Sequence, residues 1–461
     1  MAAARYNAGP MSEPVALPSA DVPPPRGALG VVLMIVFIDL MGFGIILPQL
    51  PFYAIHFHAS AFAVAMLFSI YSACQFVAAP VLGMISDRVG RKPVLAVSQL
   101  GSALGYGLLG ITTQLHFDNA AVALGLVYLA RVIDGVTGGN ISTAQAYISD
   151  VTTPATRARG MGLFGAMFGV GFAVGPVLGG IVGNDSDRAA WPAYLAALLS
   201  LTAAILSVWR LPESRSDRPA NDEVWLHPSR FAPLFRRQPL GSLLLSTFAT
   251  MTAFTMLEGT IGLYLHDHFR KAGGVPYGER ELAWYFAYIG VIITVVQGGV
   301  VARAVKRFGE WAVGIAGCLF VAGGMSLYVV TGHHPLLSIL LTAGAVNAVG
   351  RSLQGPPISS LISKVSGRDE QGTVFGVYHG LGSLARALGP AIAGLAYARV
   401  AAIAPFAIAG TMMVVIAAWL AGLRRAHPIA VPPPTPRGFE PIVGVADPSA
   451  EADVEVAQVP S

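Results

Sequence analysis

Charge is what this chain has least of. Only 12% of its 461 residues are Asp, Glu, Lys or Arg, about half the share of an ordinary soluble domain. With 54% hydrophobic residues and a mean hydropathy of +0.62, most of the surface is expected to face lipid. Cysteine is scarce as well. Cys74 and Cys318 lie in separate apolar runs and no C-x-x-C pair occurs, so neither a disulfide nor a thiolate metal site is implied. Both read as core residues. No H-E-x-x-H, G-x-S-x-G or G-x-x-x-x-G-K-[ST] run is present. An enzyme is therefore not expected, no metal or cofactor is implied, and any energy source must be an ion gradient. The net charge of +4 is small and the basic residues sit between apolar runs, which reads as membrane topology and excludes nucleic acid. No cleavable signal peptide is visible, and the ten-residue alternation of an outer-membrane barrel is missing.

Long apolar runs and glycine are what the chain has in excess. Twelve runs of about 20 residues, the length of one helical crossing, fall near 28–50, 61–82, 93–113, 119–142, 159–183, 191–211, 240–265, 281–302, 311–331, 335–357, 372–396 and 401–423. The 53 glycines suit helices that approach closely in lipid. The expected fold is an all-α membrane protein, with twelve transmembrane helices in two six-helix bundles. Residues 28–211 form the first bundle, 212–239 a polar cytoplasmic linker and 240–425 the second. The Pro-rich segments 1–27 and 426–461 read as disordered tails. With the N-terminus inside, the even loops hold Arg88, Arg91, Lys92, Arg157, Arg159, Arg210, Arg215, Arg218, Arg230, Arg236, Arg237, Arg303, Lys306, Arg307, Lys364 and Arg368. The odd loops hold only Arg188, Arg270, Lys271, Arg280 and Arg399. This bias places both termini in the cytoplasm, at the inner membrane.

The densest charge lies in Gly83-Met-Ile-Ser-Asp87-Arg88-Val-Gly90-Arg91-Lys92, which reads as a tight cytoplasmic loop with Asp87 poised to cap a helix. A weaker copy, Arg307-Phe308-Gly309, follows 219 residues later, with Lys306 for Asp87 and Glu310 for Arg91. Asp39 precedes Glu258 by the same offset. Arg131-Val-Ile-Asp134-Gly135 precedes Arg351-Ser-Leu-Gln354-Gly355 by 220, and Gly175-Pro176 precedes Gly389-Pro390 by 214. The near-constant offset argues for duplicated, pseudo-symmetric halves related about the membrane normal.

These stretches resemble the major facilitator superfamily, and within it the twelve-helix drug:proton antiporters that include the tetracycline exporters. Gly83 to Lys92 matches the superfamily's loop motif. Leu129-Ala-Arg131-Val-Ile-Asp134-Gly135 resembles its helix 4 motif, with Asp134 where glutamine is usual. Gly171, Gly175, Pro176, Gly179 and Gly180 resemble the helix 5 antiporter motif. Phe37-Ile-Asp39 to Pro48 looks like the first helix of the tetracycline exporters, but Gly105 stands before Tyr106 where those carry an aspartate. The resemblance implies a proton-coupled exporter of small amphipathic organic compounds, acting as a monomer by alternating access. It also implies a gate in which Asp87 holds helix 2 against helix 11, Gly83 permits the approach, and Arg88 and Arg91 reach acids such as Asp150. In helix 5 it implies a leak-blocking contact with helix 8, where the bland reading is close packing. Leu211-Pro-Glu213-Ser214-Arg215 resembles a sugar-porter motif, so a proton-coupled or facilitative sugar or metabolite importer is the alternative.

Six charges fall inside the runs: Asp39, Arg131, Asp134, Glu258, Arg351 and Arg386. Each costs roughly 3 kcal/mol or more at mid-depth, so each should pair or line a wet cavity. Asp39 with Arg131 is the favoured proton-coupling pair. Glu258 with Arg351 or Arg386 is its rival, and Arg131 with Asp134, three apart on one face, could simply neutralise each other. Candidates for a substrate cavity are Gln49, Asn140, Phe164, Phe168, Trp284, Tyr285, Tyr288, Gln297, Asn347, Gln354, Tyr378 and His379, aromatic and polar side chains of the kind that hold amphipathic ligands. His56, His58, His116, His266, His268, His333 and His334 gather at the expected outer ends. They read as loop residues or, more sharply, as a pH or divalent-metal sensor.

Overall fold

The computed structural model describes residues 27–152, 154–183, 189–214, 228–271, 273–366 and 371–427. Residues 1–26 and 428–461 of the two expected tails, and Arg188, Arg215, Arg218 and Arg368, lie outside these residues. The first half holds α1 (Ala28–Ile46), α2 (Leu50–His56), α3 (Ala61–Val89), α4 (Arg91–Gln114), α5 (Ala120–Thr137), a 3-10 turn (Gly138–Asn140), α6 (Ile141–Asp150), α7 (Pro154–Val182) and α8 (Trp191–Trp209). The second holds α9 (Pro228–Arg236), α10 (Leu240–His268), α11 (Glu279–Val295), a π turn (Val296–Val300), α12 (Val301–His333), α13 (Leu337–Val365), α14 (Gln371–Arg399) and α15 (Ala404–Ala426).

Nine stretches among the described residues are long and apolar enough to cross a membrane. One of them, Glu279–His333, runs for 55 residues and leaves helical geometry at Gly309, so it has length for two crossings. Adding α13 and α14, 29 residues each, matches the number of runs read from the sequence. Many of the helices outlast their apolar runs, because hydropathy locates lipid while backbone hydrogen bonding continues into water. Asp87 and Arg88 thus belong to the last turn of α3, and Arg91 and Lys92 to the first turn of α4. The expected loop shrinks to Gly90, at φ 104° and ψ 157°. Gly309 adopts φ 78° and ψ 160° at the equivalent place, a conformation that favours glycine at both corners. The described part of the linker is not all loop. Part of it forms α9, whose Leu234 joins the second half's core.

Helix pairing repeats between the halves. α1 packs on α7 as α10 packs on α14, α4 on α8 as α12 on α15, and α4 on α5 as α12 on α13. The repeat holds at single residues: a Cβ on Gly44 would lie 3.3 Å from Pro176, and one on Gly259 would lie 2.8 Å from Pro390. Most buried apolar side chains separate likewise: a large cluster and a small one around Val296 and Leu353 lie in the second half, and two fill the first, one of them taking in Leu263 of α10.

The bundles meet chiefly through α3 on α14 and α7 on α11. Both seams are closed at the end remote from Asp87–Lys92, here the far end. A Cβ on Gly180 would collide with Ala283, one on Gly394 with Ala65, and one on Gly262 would lie 2.7 Å from Pro51. Toward the motif end the seams part. Ala173 of α7 meets Gly290 of α11, yet a Cβ on Gly162 or Gly169, lower on the same side of α7, would meet nothing within 4 Å, nor would one on Gly298 or Gly376.

Inside the first bundle α1 and α7 approach closely at Gly175, where a Cβ would stand 2.7 Å from Gly44 Cα and from the Met41 carbonyl. Gly175→Val is expected to destabilise the protein by about 1–3 kcal/mol through overpacking, measured by thermal unfolding of the purified protein. Gly169→Ala, entering open space, should leave the midpoint unchanged or raise it.

Candidate functional site

The intramembrane charges converge at mid-depth. On the first-bundle side, α5 ends at Thr137 and the chain takes one 3-10 turn, Gly138–Asn140, before α6 resumes. Small residues allow it: a Cβ on Gly135 would strike the Tyr71 carbonyl at 2.6 Å, and one on Gly139 the Ala79 nitrogen at 2.9 Å. Gln75 Nε2 donates to the freed Gly138 carbonyl at 2.9 Å and to Tyr71 Oη at 3.2 Å. The break presents Asn140, whose Nδ2 donates to Asp39 Oδ2 at 3.5 Å. Gln99 also faces Asp39.

Arg131 is engaged elsewhere than the favoured pairing expects. Its Nη1 donates to Asp134 Oδ2 at 2.7 Å, each side chain only 2% exposed, and its guanidinium lies 4.3 Å from the Tyr71 ring centroid. In this conformation Asp39 is held by amides and Arg131 by Asp134. Asp134 also lies beside Gly105. A Cβ there would come within 3.0 Å of the Ala130 carbonyl and 3.2 Å of Asp134 Cβ, so the position that resembles the exporters' helix 3 aspartate is filled from α5.

On the second-bundle side Glu258 faces Arg351 and Arg386. The Arg351 guanidinium lies 3.0 Å from the Phe254 ring centroid and its buried Nη1 has no hydrogen-bond partner. Arg386 Nη2 donates to Ser383 Oγ at 2.8 Å. Arg386 also acts electrostatically on Tyr71 across the seam. Tyr378 faces Arg351 and His379 faces Arg386. The six charges thus form one set spanning both bundles.

The cavity candidates disperse. Asn140, Tyr378 and His379 join the central set. Gln354 backs onto Gly317 within the second bundle. Phe164 is buried in a first-bundle core cluster, and the Phe168 side chain lies outside the described residues. Tyr285 is buried and hydrogen-bonded to Tyr328, so it packs the second bundle. Tyr288 Oη donates to the Leu341 carbonyl at 3.3 Å. Trp284, Val291 and Val295 share an exposed apolar stripe on α11, which suits lipid. Gln297 is exposed in the π turn, and Asn347 is buried with Nδ2 unpartnered. Gln49 is fully buried at the far end. The helix 5 glycines divide: Gly171, Gly175 and Gly179 lie against α1, and Gly180 against Ala283 of α11. The histidines have separate neighbours, His266 the Tyr277 carbonyl and His268 the Tyr264 ring. Among the described residues no three His, Cys, Asp or Glu side chains could share a metal ion.

At the motif end, Arg91 Nη2 pairs with Asp87 Oδ1 at 2.7 Å, its Nε with Asp150 Oδ2 at 3.3 Å, and its Nη1 donates to Ser86 Oγ at 2.6 Å. Asp87 does not cap α4. Glu213 does, accepting from Arg91 N at 2.9 Å and Lys92 N at 3.1 Å. That carboxylate at a helix N-terminus ties the chain after α8 to the α3–α4 corner. Gly83 looks toward α6, where a Cβ added to it would lie 4.0 Å from Ser142 Oγ. In the second half the signs reverse: Glu310 of α12 pairs with Lys364 of α13.

The Major Facilitator Superfamily profile matches residues 32–341 and 313–452, and the chain belongs to that superfamily of transporters. It is 32% identical to the class C tetracycline resistance protein of Escherichia coli, over 81% of this chain and 90% of the relative. It is 27% identical to multidrug resistance protein 1 of Bacillus subtilis, over 80% and 89%. The crystal structure of the human organic anion transporter MFSD10 (TETRAN) superposes with a TM-score of 0.61 at 25% identity, covering 86% of this chain and all of that one. The nucleoside transporter NupG superposes with a TM-score of 0.70 at 12% identity, covering 86% and 99%, a likeness of fold alone.

Two outcomes follow. Arg131→Ala, which strands Asp134 in a buried site, should cost about 3–5 kcal/mol, whereas Arg131→Met with Asp134→Leu should cost far less; thermal unfolding distinguishes them. Glu213→Ala should cost about 1–2 kcal/mol by uncapping α4, read in the same assay.

Proposed function

We propose that this chain is a proton-coupled antiporter that exports small amphipathic organic compounds by alternating access. One observation carries the reading: six ionisable side chains from both bundles meet at mid-depth, in a seam closed at one end and parted at the other. Relatives named for tetracycline and multidrug resistance support the export direction.

The motif end faces the cytoplasm, with both termini on that side of the inner membrane, and the conformation is inward-facing. Residues 28–211 and 240–425 are the moving bundles, joined by 212–239, in a monomer. A substrate enters through the parted seams. Asp39 and Glu258 take up and release the proton as their neighbours change, since losing or gaining a cationic partner alters the cost of ionisation. Arg131, Asp134, Arg351 and Arg386 supply that changing field. Asp87, Arg88, Arg91 and Lys92 form the cytoplasmic gate, with Gly83 and Gly90 shaping it. Gly180 and Ala283 seal the outer seam. Asn140, Tyr378 and His379 are the best-placed substrate contacts.

Proteoliposomes challenged with tetracyclines, lipophilic dyes, nucleosides and sugars should show substrate-driven proton flux with the drug-like compounds. Asp39→Asn and Glu258→Gln should each lower it about tenfold or more, a loss equivalent to about 1.4 kcal/mol of barrier. Sugar uptake with no proton movement would overturn the reading in favour of the importer.

A further inference from the structure

The far-end seam contains a polar cluster that the central charges do not explain. Gln49 stands at the start of α2, Tyr53 lies one turn on, and Glu279 opens α11 from the other bundle. Gln49 and Tyr53 are almost fully buried. Both amide atoms of Gln49, and Glu279 Oε2, lack a hydrogen-bond partner, and Tyr53 Oη only approaches the Ala193 backbone without a well-formed bond. Two of these side chains face one stripe running off the end of α7: a Cβ on Gly179 would lie 3.3 Å from Gln49 Nε2, and one on Gly183, just past the helix, would lie 3.0 Å from Glu279 Oε2. Tyr53 is within electrostatic reach of Glu279.

The acid is not needed to cap its helix. Glu281 does that, accepting from Gly278 N at 2.8 Å while holding Lys271 at 2.9 Å. Each element against Glu279 can be checked for a counter-ion. α2 offers Tyr53. α7 and the turn after it offer Gly179, Gly180 and Gly183, and α8 offers Pro192 beside Gly183. On α10, His266 is turned to the Tyr277 carbonyl at 3.1 Å, and Arg280, the next residue of α11, is exposed. Asp185, Asp187 and Arg188 lie outside the described residues. Glu279 is only partly exposed and its Oε2 is buried without a partner, a setting in which an ionised carboxylate is unfavourable. A neutral carboxyl fits, because it can be covered at little cost and can exchange hydrogen bonds with Tyr53 or Gln49.

We propose that Glu279 is a second proton-binding site, apart from the central set, and that the far-end seam closes only over its protonated form. The inference rests on the seam being one that opens, as the exporter reading requires. When the seam parts, Glu279 meets external water and can ionise. Protons on that side then reseal the seam and return the molecule to the conformation seen here. Gln49 and Tyr53 hold the protonated acid.

Spin labels at Ala120 and Leu337, the far-end starts of α5 and α13, report the opening in full-length protein whose two native cysteines are replaced by alanine. Pulsed electron–electron distance measurements in lipid nanodiscs, from about pH 5.5 to about pH 8.5, should show a short distance in acid giving way to a long one in base. Glu279→Gln should lose that transition and keep the short distance throughout. Glu279→Asp should keep the transition with a displaced midpoint, which carries the test if the glutamine variant does not fold. Arg188→Gln should follow the parent. A parent distance independent of pH, a Glu279→Gln profile like the parent's, an undisplaced Glu279→Asp midpoint, or an Arg188→Gln profile like that of Glu279→Gln would overturn the proposal. Because the distance needs no substrate, its failure is separable from failure of substrate-driven proton flux.

Discussion

Everything in this molecule is arranged around the cost of keeping charge away from water. Three acids and three arginines stand in spans that otherwise carry little charge, and each would be prohibitive alone. Their formal charges cancel over the whole set, though not within each bundle. Asp39, Asp134 and Arg131 leave the first bundle with an excess negative charge, while Glu258, Arg351 and Arg386 leave the second with an excess positive one. The balance closes only across the seam, where Arg386 reaches toward Tyr71. A proton placed on Asp39 removes the first excess, and one placed on Glu258 enlarges the second. Either event changes how strongly the bundles attract one another at mid-depth. In the proposed antiport cycle, this field is what would couple proton occupancy to bundle movement, with no contiguous wire between them.

The repeat was legible because it is written in residues with little freedom. Gly90 and Gly309 share a positive φ, and Gly44 with Pro176 and Gly259 with Pro390 share a close contact. Such positions tolerate few substitutions in three dimensions, so their spacing survives in one. Span locations were legible for a similar reason, since lipid demands apolar runs. Helix ends were not, because nothing in hydropathy distinguishes a polar helical turn from a loop. Asp87 therefore reads as poised to cap a helix, while the cap of α4 comes from Glu213, more than a hundred residues away. That acid was visible only as part of Leu211-Pro-Glu213-Ser214, where no local pattern indicates its partner.

Pairings inside the bundles were the hardest to read. Periodicity puts Arg131 and Asp134 on one face and is silent about which acid the arginine prefers. Nothing in the sequence marks Gln99, Tyr71 or Phe254, whose roles come from neighbours on other helices. Aromatic and polar residues were equally ambiguous as cavity markers. Tyr285 fills the second bundle, Trp284 sits on an exposed apolar stripe, and Tyr378 and His379 reach the charges. Composition was alike in all four, and only three-dimensional placement separates them.

The two ends of the seam use opposite chemistry. At the far end, Gly180 on Ala283, Gly394 on Ala65 and Gly262 on Pro51 bring helices into contact through small, apolar groups. Such a seam can part without breaking directional bonds, and its strength depends on close fit. At the motif end, long charged side chains tie each bundle to itself, with reversed polarity: Arg91 on Asp150 in the first, Glu310 on Lys364 in the second. These two ties each lie within one bundle and do not cross the seam. In the proposed alternating access, motion falls on the interfaces α3 with α14 and α7 with α11. The polar group of Gln49, Tyr53 and Glu279 is the exception to this division, and under the proposed gating the acid there makes closure depend on its proton.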